Sequence, residues 1–510
     1  MVSKITSIGI FGIDCYMMTV EADVADGMPA FDIVGLPDAA VKESKNRVRS
    51  AIKNSGFSFP STKITINLAP ADLKKEGSLY DLPILVAILK AFGELTADLS
   101  DSAFVGEVSL DGRLSSVNGL LAMAIEARQN GVKRLFVPAD NATEGAVVDG
   151  IDVYPVEHVR ELVDFLETGR GIAPQKPVRF DSALDDEPPL DFSDVKGLSL
   201  PKRAMEIAAA GGHNLIMIGP PGSGKSMLAK RFYTILPEMT FEESIETTKI
   251  HSVAGILPKN SPLVKRRPFR APHHTISVAG LTGGGSMPKP GELSLAHNGV
   301  LFLDEFPEFG RSVMEALRAP LEDGVITISR VAATLTYPCN ISLIAAMNPC
   351  PCGYYGHPTK KCTCSPGAVS KYLGKISGPM LDRFDLHVEV PPVDYKEMTD
   401  KKGGKTSAEI KRGVDSAREI QRLRYKDSGI KNNAGLTPQL LKKYCVMTAE
   451  ADAMMKSAFD SMGLSGRGYD RILKVARTAA DLDKSEKIEL KHIAIAVQFR
   501  SLDQKYWKNI

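Results

Sequence analysis

The sequence predicts an α/β fold centred on an open parallel sheet, with a ligand at the carboxyl edge of its strands. Three stretches carry that prediction. Residues 214–226 read Asn-Leu-Ile-Met-Ile-Gly-Pro-Pro-Gly-Ser-Gly-Lys-Ser, a short apolar strand followed by a glycine-rich turn. Val300-Leu-Phe-Leu runs straight into Asp304 and Glu305, and Ile341–Met347 runs into Asn348. Apolar strands with polar residues only at their C-terminal ends are what an open α/β sheet places beside its ligand.

The first stretch is a complete P-loop. Gly219, Pro220, Pro221, Gly222, Ser223, Gly224, Lys225 and Ser226 fit its spacing in full, and Met227-Leu-Ala-Lys-Arg-Phe-Tyr continues as a helix. Glycines let backbone N–H groups converge on phosphate oxygens, and the helix N-terminus adds partial positive charge. Lys225 is expected at the β/γ-phosphates and the Ser226 hydroxyl on Mg²⁺. Asp304 is expected to hold Mg²⁺ through water, Glu305 to polarise the attacking water, and Asn348 to orient it. These residues predict binding and hydrolysis of ATP with Mg²⁺.

The bulk properties fit such an enzyme. The 510 residues are 43% hydrophobic and 24% charged, a globular composition long enough for about three domains. Apolar runs stop at strand length, and Met1-Val-Ser-Lys-Ile-Thr has no secretory core, so a cytoplasmic protein with no membrane partner is expected. Of seven cysteines, four fall between 350 and 364, a pattern of thiolate ligands rather than of a disulfide framework. The net charge of +2 is unevenly spread, with 24 Lys and Arg against 16 Asp and Glu in residues 393–510. That surplus suits either a polyanionic partner or a solvated helical surface.

Along the chain, residues 1–168 alternate strands (Ile5–Ile10, Cys15–Ala22, Phe31–Val34, Lys63–Leu68, Ala103–Val108, Arg134–Val137) with helices (Asp38–Ser55, Asp81–Phe92, Leu120–Asn130, Val156–Glu167). This reads as an α/β or α+β domain. Residues 169–193, rich in Pro and Asp, read as a linker. The nucleotide domain is then expected over 194–392, beginning with a helix at Pro201–Ala210, and a helical domain over 393–510.

Within the nucleotide domain, Val264–Thr275 holds Lys265, Arg266, Arg267 and Arg270 together with His273 and His274. Ser277–Gly299 follows, and its glycines and prolines predict an exposed insertion. The two histidines are open to two readings, a metal pair or positioning near phosphate, although adjacent histidines diverge and seldom share one metal. Arg311–Ala319 is expected as a helix, and Gly324–Tyr337, alternating with period two, as a hairpin. Cys350, Cys352, Cys362 and Cys364, with His357 between them, suit tetrahedral Zn²⁺ or a labile loop clamp. Unpaired loop thiols or a redox pair are the other readings, because C-x-C is a less common knuckle than C-x₂-C. In the C-terminal part, Ile410, Val414, Ile420 and Leu423 form an apolar stripe flanked by Lys411, Arg412, Arg418, Arg422 and Arg424.

Several stretches resemble known families. Lys75–Pro83, Val105–Arg113 and Asn118–Leu121 resemble the proteolytic domain of Lon, but the positions matching its serine and lysine read Leu79 and Leu121. Neither can attack a peptide bond or act as a base, and Ser78 is displaced by one residue. The domain is therefore expected to be non-proteolytic, a scaffold for assembly or partner binding. A hairpin ahead of the Asn348 strand, with an insertion in the preceding helix, resembles the AAA+ clade that includes the MCM helicases and the magnesium chelatase motor. Gly378–His387 resembles that clade's segment carrying a trans-acting arginine, which falls on Arg383; pairing of Arg383 with Asp382 or Asp385 is the alternative. Leu464–Ala479 resembles the lid helix whose first-turn arginine contacts nucleotide in its own subunit, here Arg467, with Arg471 in reserve.

An AAA+ P-loop core between a Lon-protease-like α/β domain and a helical lid resembles the ComM/YifB family of magnesium-chelatase-like ATPases. The resemblance implies a homo-hexameric ring, driven by ATP, that translocates on DNA and migrates branched recombination intermediates during natural transformation. In such a ring the insertions face the pore. Arg266, Arg267 and Arg270, with the 324–337 hairpin, are then the expected DNA contacts; pairing across subunits or with nearby acids is the alternative. A chelatase motor subunit, an ATP-dependent protease and a nucleotide-switched adaptor without translocation are the competing functions.

Overall fold

A computed structural model describes residues 2–178, 180, 190–258, 262–285, 288–330, 333–393 and 404–507. The centre of the expected linker, residues 181–189, and the start of the expected C-terminal domain, residues 394–403, lie outside the described residues. Two compact units result. One comprises residues 1–182 and 240–265, the other 183–239 and 266–510.

The first unit is built on a seven-stranded mixed sheet. Its order is Ala30–Val34, Lys63–Ala69, Asp14–Ala25, Val2–Phe11, Ser102–Phe104, Arg134–Pro138, Asp152–Val156. Val2–Phe11 and Asp14–Ala25 pair antiparallel in register from Val2↔Asp23 to Phe11↔Asp14. The helix Asp81–Phe92 is almost wholly buried because it is apolar on every side, and Gly93 ends it in the left-handed conformation. The Ala103–Val108 stretch divides into Ser102–Phe104 and Glu107–Val108. Asp152–Val156 is an edge strand with no counterpart among the expected strands, and the helix expected from Val156 begins only at Val159, capped by His158.

The Phe241–Ala254 helix lies in sequence just after the P-loop helix, yet it belongs to this first unit. It packs against the Leu120–Gln129 helix. Ser252 on it accepts from the Gly119 amide at 2.8 Å and donates to buried Glu144, whose carboxylate also accepts from the Leu121 amide at 2.8 Å. Phe241 and Ile245 pack on the same core.

The second unit carries a five-stranded parallel sheet in the order Phe269–Arg270, Val300–Leu303, Ser342–Met347, Leu215–Ile218, Leu386–Glu389. All four residues of Leu215–Ile218 and of Val300–Leu303 are buried, as continuous apolar runs in a doubly covered sheet must be. Helices over Ser407–Arg424, Ala449–Met462, Gly466–Leu482 and Leu490–Gln498 follow.

The buried stripe of Ser407–Arg424 differs from the expected one. Ile410 and Val414 are buried, but the face continues through Ala417 and Gln421, while Leu423 is 64% exposed. Residues 410, 414, 417 and 421 share one helical face and 423 does not. Gln421 fits there because its amide donates to Ala210 O at 3.0 Å and its oxygen accepts from Asn433 N at 3.0 Å. Ser277–Gly299 also departs from the expected exposed insertion. Ser277–Gly280 are exposed, but from Pro290 to Gly299 every residue except Glu292 is buried, with Leu293 fully so. Residues 286–287 lie outside the described residues.

Candidate nucleotide site and thiol cluster

The three polar strand ends meet at one edge of the parallel sheet. The Ser342–Met347 strand lies between the P-loop strand and the Asp304 strand, with Ile218 beside Met347 and Leu303 beside Ala345. Gly224 starts the helix Lys225–Arg231 with φ 92°, a backbone conformation that glycine takes without strain. Ser226 Oγ donates to Asp304 Oδ2 at 2.6 Å, bringing together the hydroxyl and carboxylate that suit Mg²⁺. Lys225 is buried; its Nζ donates to the Gly219 and Pro220 carbonyls, each at 2.8 Å, and reaches Asn348 Oδ1 at 3.3 Å. Burial holds the Lys225 ammonium down to about 8, opposed by the charge of Asp304.

These residues fit a triphosphate with its metal. Ser223 Oγ is buried and has no partner among the described residues, a donor without an acceptor inside the cradle. Glu305 sits at φ 52°, a left-handed conformation in which a glutamate is strained. Its Oε2 lies 3.5 Å from His274 Nδ1. Neither expectation for the two histidines, a metal pair or positioning near phosphate, names Glu305 as the partner of His274. Its pairing with Glu305, 31 positions away, leaves no local signal. His273 Nδ1 instead bonds the Thr275 hydroxyl at 2.9 Å.

The remaining arginines divide. Arg383 Nη2 lies 2.5 Å from Glu322 Oε1, so its partner is neither Asp382 nor Asp385. Those two aspartates face Arg471 instead, at 2.9 and 3.7 Å. Arg467 is exposed in the first turn of Gly466–Leu482, and its side chain makes no hydrogen bond or ion pair with a described residue. Arg267 donates to the carbonyls of Pro237, Asn298 and Glu238 at 2.6, 2.8 and 3.1 Å. Arg270 ends the edge strand of the parallel sheet and makes a two-pronged pair with Glu292, both contacts at 2.7 Å. The Lys265–Arg270 stretch, expected as an insertion, thus ends in a sheet edge, and two of its arginines are engaged inside the protein. Arg266 is half-buried.

The 324–337 hairpin does form, as Val325–Arg330 paired with Ala333–Pro338. Ile326, Ile328, Leu335 and Tyr337 are buried on one face. Thr327, Ser329, Thr334 and Thr336 stand exposed on the other. Residues 331–332 at its tip lie outside the described residues.

The four thiols of Cys350, Cys352, Cys362 and Cys364 all lie within 4.8 Å of one another. The Thr363 and Tyr354 amides hydrogen-bond Cys352 and hold its thiol down to about 5, a thiolate at neutral pH. His357 stands apart from them, its Nδ1 accepting from the Thr359 and Lys360 amides at 3.1 and 3.0 Å. In the first unit, Leu79 and Leu121 are buried, and Ser78 donates to Glu107.

Three family models match the chain. The magnesium chelatase ChlI subunit covers residues 191–398, a further ChlI model residues 20–141, and the ChlI C-terminal model residues 404–500. YifB of Escherichia coli, an uncharacterized protein, is 43% identical over 97% of this chain and 96% of its own. The chain belongs to the magnesium-chelatase-like AAA+ family. Within this family the competence protein ComM of Haemophilus influenzae is also 43% identical, over 96% of each chain. The N-terminal similarity extends to Lon protease of Acinetobacter baumannii, 25% identical over 159 residues, 29% of this chain and 20% of that one. No helix among the described residues is long and apolar enough to cross a membrane.

Proposed function

We propose that this chain is a cytoplasmic ATPase that works as a homo-hexameric ring, moving on DNA and driving branch migration during recombination and natural transformation. The observation that carries the ATPase is the convergence of Lys225, Ser226, Asp304, Glu305 and Asn348 at one sheet edge, with Ser226 on Asp304 at 2.6 Å. The relative named for competence supports the DNA role.

In this reading Lys225 leaves the Gly219 and Pro220 carbonyls to meet the β/γ-phosphates, and its burial makes that charge strong. Mg²⁺, held by Ser226 and Asp304, supplies charge neutralisation at the phosphates. Glu305 takes the proton of the attacking water, and Asn348 orients that water. Arg383 of one subunit stabilises charge at the γ-phosphate of the next, and Arg467 reaches the nucleotide of its own subunit. The four thiols hold one Zn²⁺.

DNA backbone contact belongs to Arg266 and the exposed hydroxyl face of the hairpin, since phosphate is read by cations and hydroxyls without regard to sequence. ATP turnover measured alone and with single-stranded, duplex and four-way DNA tests the whole reading. Stimulation by DNA, strongest with four-way junctions whose branch the protein then moves, is expected. A chelatase-type motor, favoured by the name of the matching family, would show no DNA stimulation. An adaptor would be stimulated yet move no branch.

A further inference from the structure

The cysteine loop joins two parts of the nucleotide site. Cys350 follows Asn348 by two residues, so whatever fixes Cys350 limits where Asn348 can go. Gly353, at φ 82°, lies against the P-loop itself: a Cβ there would stand 2.5 Å from Pro221 Cδ and 2.9 Å from Pro221 Cγ. Only a residue without a side chain lets the loop backbone come that close. On its far side the loop leads to Ser365, which caps the Pro366–Leu373 helix, and Tyr372 on that helix hydrogen-bonds the Asn348 backbone. The loop therefore meets the site at Pro221, and the helix it leads into meets it at Asn348.

Its own composition does not explain why it holds a shape. Between Pro351 and Ser365 only Gly353 is buried, and the stretch has no helix or strand. Burial of apolar surface is thus too small to offset the ordering of so many residues. The thiols supply the missing constraint. Cys350 Sγ lies 3.4 Å from Cys352 Sγ and 3.7 Å from Cys362 Sγ, and Cys352 lies 3.5 Å from Cys362. Tetrahedral coordination with metal–sulfur bonds of about 2.3 Å places sulfurs roughly 3.8 Å apart, whereas a disulfide needs about 2.05 Å. The Tyr355 amide also donates to Cys350 Sγ at 3.3 Å, an outer bond of the kind that orients a metal-bound thiolate.

We propose that Zn²⁺ on Cys350, Cys352, Cys362 and Cys364 is a positioning device for the nucleotide site, holding the P-loop at Pro221 and Asn348 in fixed relation. The inference rests on the ATP reading of that site. The sheet does not depend on it, because residues 215–218, 300–303 and 343–347 are buried on their own. Metal removal should therefore disarm the site and leave the fold.

The test uses the full chain, purified without added metal. Elemental analysis should find one Zn²⁺ per chain. A mercurial thiol reagent with a chelator then strips it; reductant and Zn²⁺ restore it. Stripping should lower ATP turnover by about 10²-fold, the usual cost of an ångström of misplacement, and weaken binding of a fluorescent non-hydrolysable ATP analogue. Far-UV circular dichroism should stay constant, and restored Zn²⁺ should recover both. Cys364→His, which can still ligate, should keep metal and turnover, while Cys362→Ala with Cys364→Ala should lose both. If that double variant misfolds, reversible stripping decides alone. No metal with four free thiols titrated would overturn the proposal. So would stripped protein with affinity and turnover within about twofold of the loaded form, since a positioning device predicts about 10²-fold. Metal-loaded wild type that bound the analogue no better than Lys225→Ala would instead remove the ATP reading and the positioning role with it, while the stoichiometry still decided the metal site.

Discussion

Arg383 and Glu322 form an ion pair at 2.5 Å, with the arginine side chain 9% exposed and the glutamate 53%. Glu322 lies in the last turn of the Arg318–Asp323 helix, just before the hairpin. The arginine proposed to act on a neighbour's phosphate is thus held by its own chain, next to the element proposed to touch DNA. Arg383→Ala should lower turnover by roughly 10³-fold with ATP affinity kept. Mixing it with Glu305→Gln subunits should restore part of the activity. Glu322→Gln, which loosens the hold, should not lower turnover. If both single variants merely lost thermal stability with turnover per folded chain intact, Arg383 would be structural only.

The depressed Lys225 fixes a pH dependence. Below about 8 the ammonium is charged and ready for phosphate; above that value a proton must be taken up for binding. The affinity for an ATP analogue should weaken by about tenfold per pH unit above that point. The same shift runs the other way for stability. The unfolded lysine keeps its proton to about 10.4, so between the two values the unfolded chain binds more protons and this group's contribution to folding rises with pH. Lys225→Ala should abolish binding. Analogue titrations between pH 7 and pH 9.5 that showed a flat affinity would contradict a titrating lysine at the phosphates.

Glu305→Gln should bind ATP and turn it over about 10²- to 10⁴-fold more slowly, because the amide cannot take the water's proton. His274→Ala should leave ATP binding intact and alter turnover alone, since His274 reaches Glu305 and no P-loop atom. Parallel binding and single-turnover measurements separate the two effects.

Arg424 and Arg477 both meet Asp481, at 2.6 and 3.0 Å, in a site where the aspartate is 1% exposed. Asp481→Ala leaves two cations without their counter-charge and should cost about 3–5 kcal/mol of stability, measured by denaturant unfolding. A loss under about 1 kcal/mol would mean that water or other groups compensate.

Arg267→Ala removes a cation shared by three carbonyls and should reduce stability by about 1.5–3 kcal/mol. The salt dependence of DNA binding should not change with it. Arg266→Ala, by contrast, should flatten the log–log salt slope by roughly 0.9 on duplex DNA. The reverse ranking would return the phosphate contacts to the sheet edge.

The parts of this molecule that the sequence made legible are those whose signal is local. The three site strands show themselves because four or more apolar residues end in a glycine-rich turn or a polar residue, and Asp81–Phe92 has both ends marked, by Asp81 and Gly93. Asp152–Val156 was lost because Pro155 sits inside a five-residue edge strand that abuts a helix. The Glu322–Arg383 and His274–Glu305 pairs join residues far apart in sequence, and the Arg270–Glu292 pair cancels one charge of an apparent basic patch. No periodicity records such pairings. The membership of 240–265 in the first unit is of the same kind, since tertiary packing alone decides which core a short helix joins.

That membership has a consequence for dissection of the chain. The polypeptide leaves the second unit after Met239 and re-enters it at Arg266, so the two units are stitched by more than one covalent crossing. A truncation that began at residue 183 would carry away the partners of Phe241, Ile245 and Ser252 and leave their helix as an apolar flap on the fragment. Such a fragment should aggregate unless residues 240–265 are also replaced by a short polar bridge. In gene-level terms the nucleotide module is no detachable cassette: a recombination event that exchanged residues 1–182 alone would set the first unit's core against a foreign Phe241–Ala254 helix.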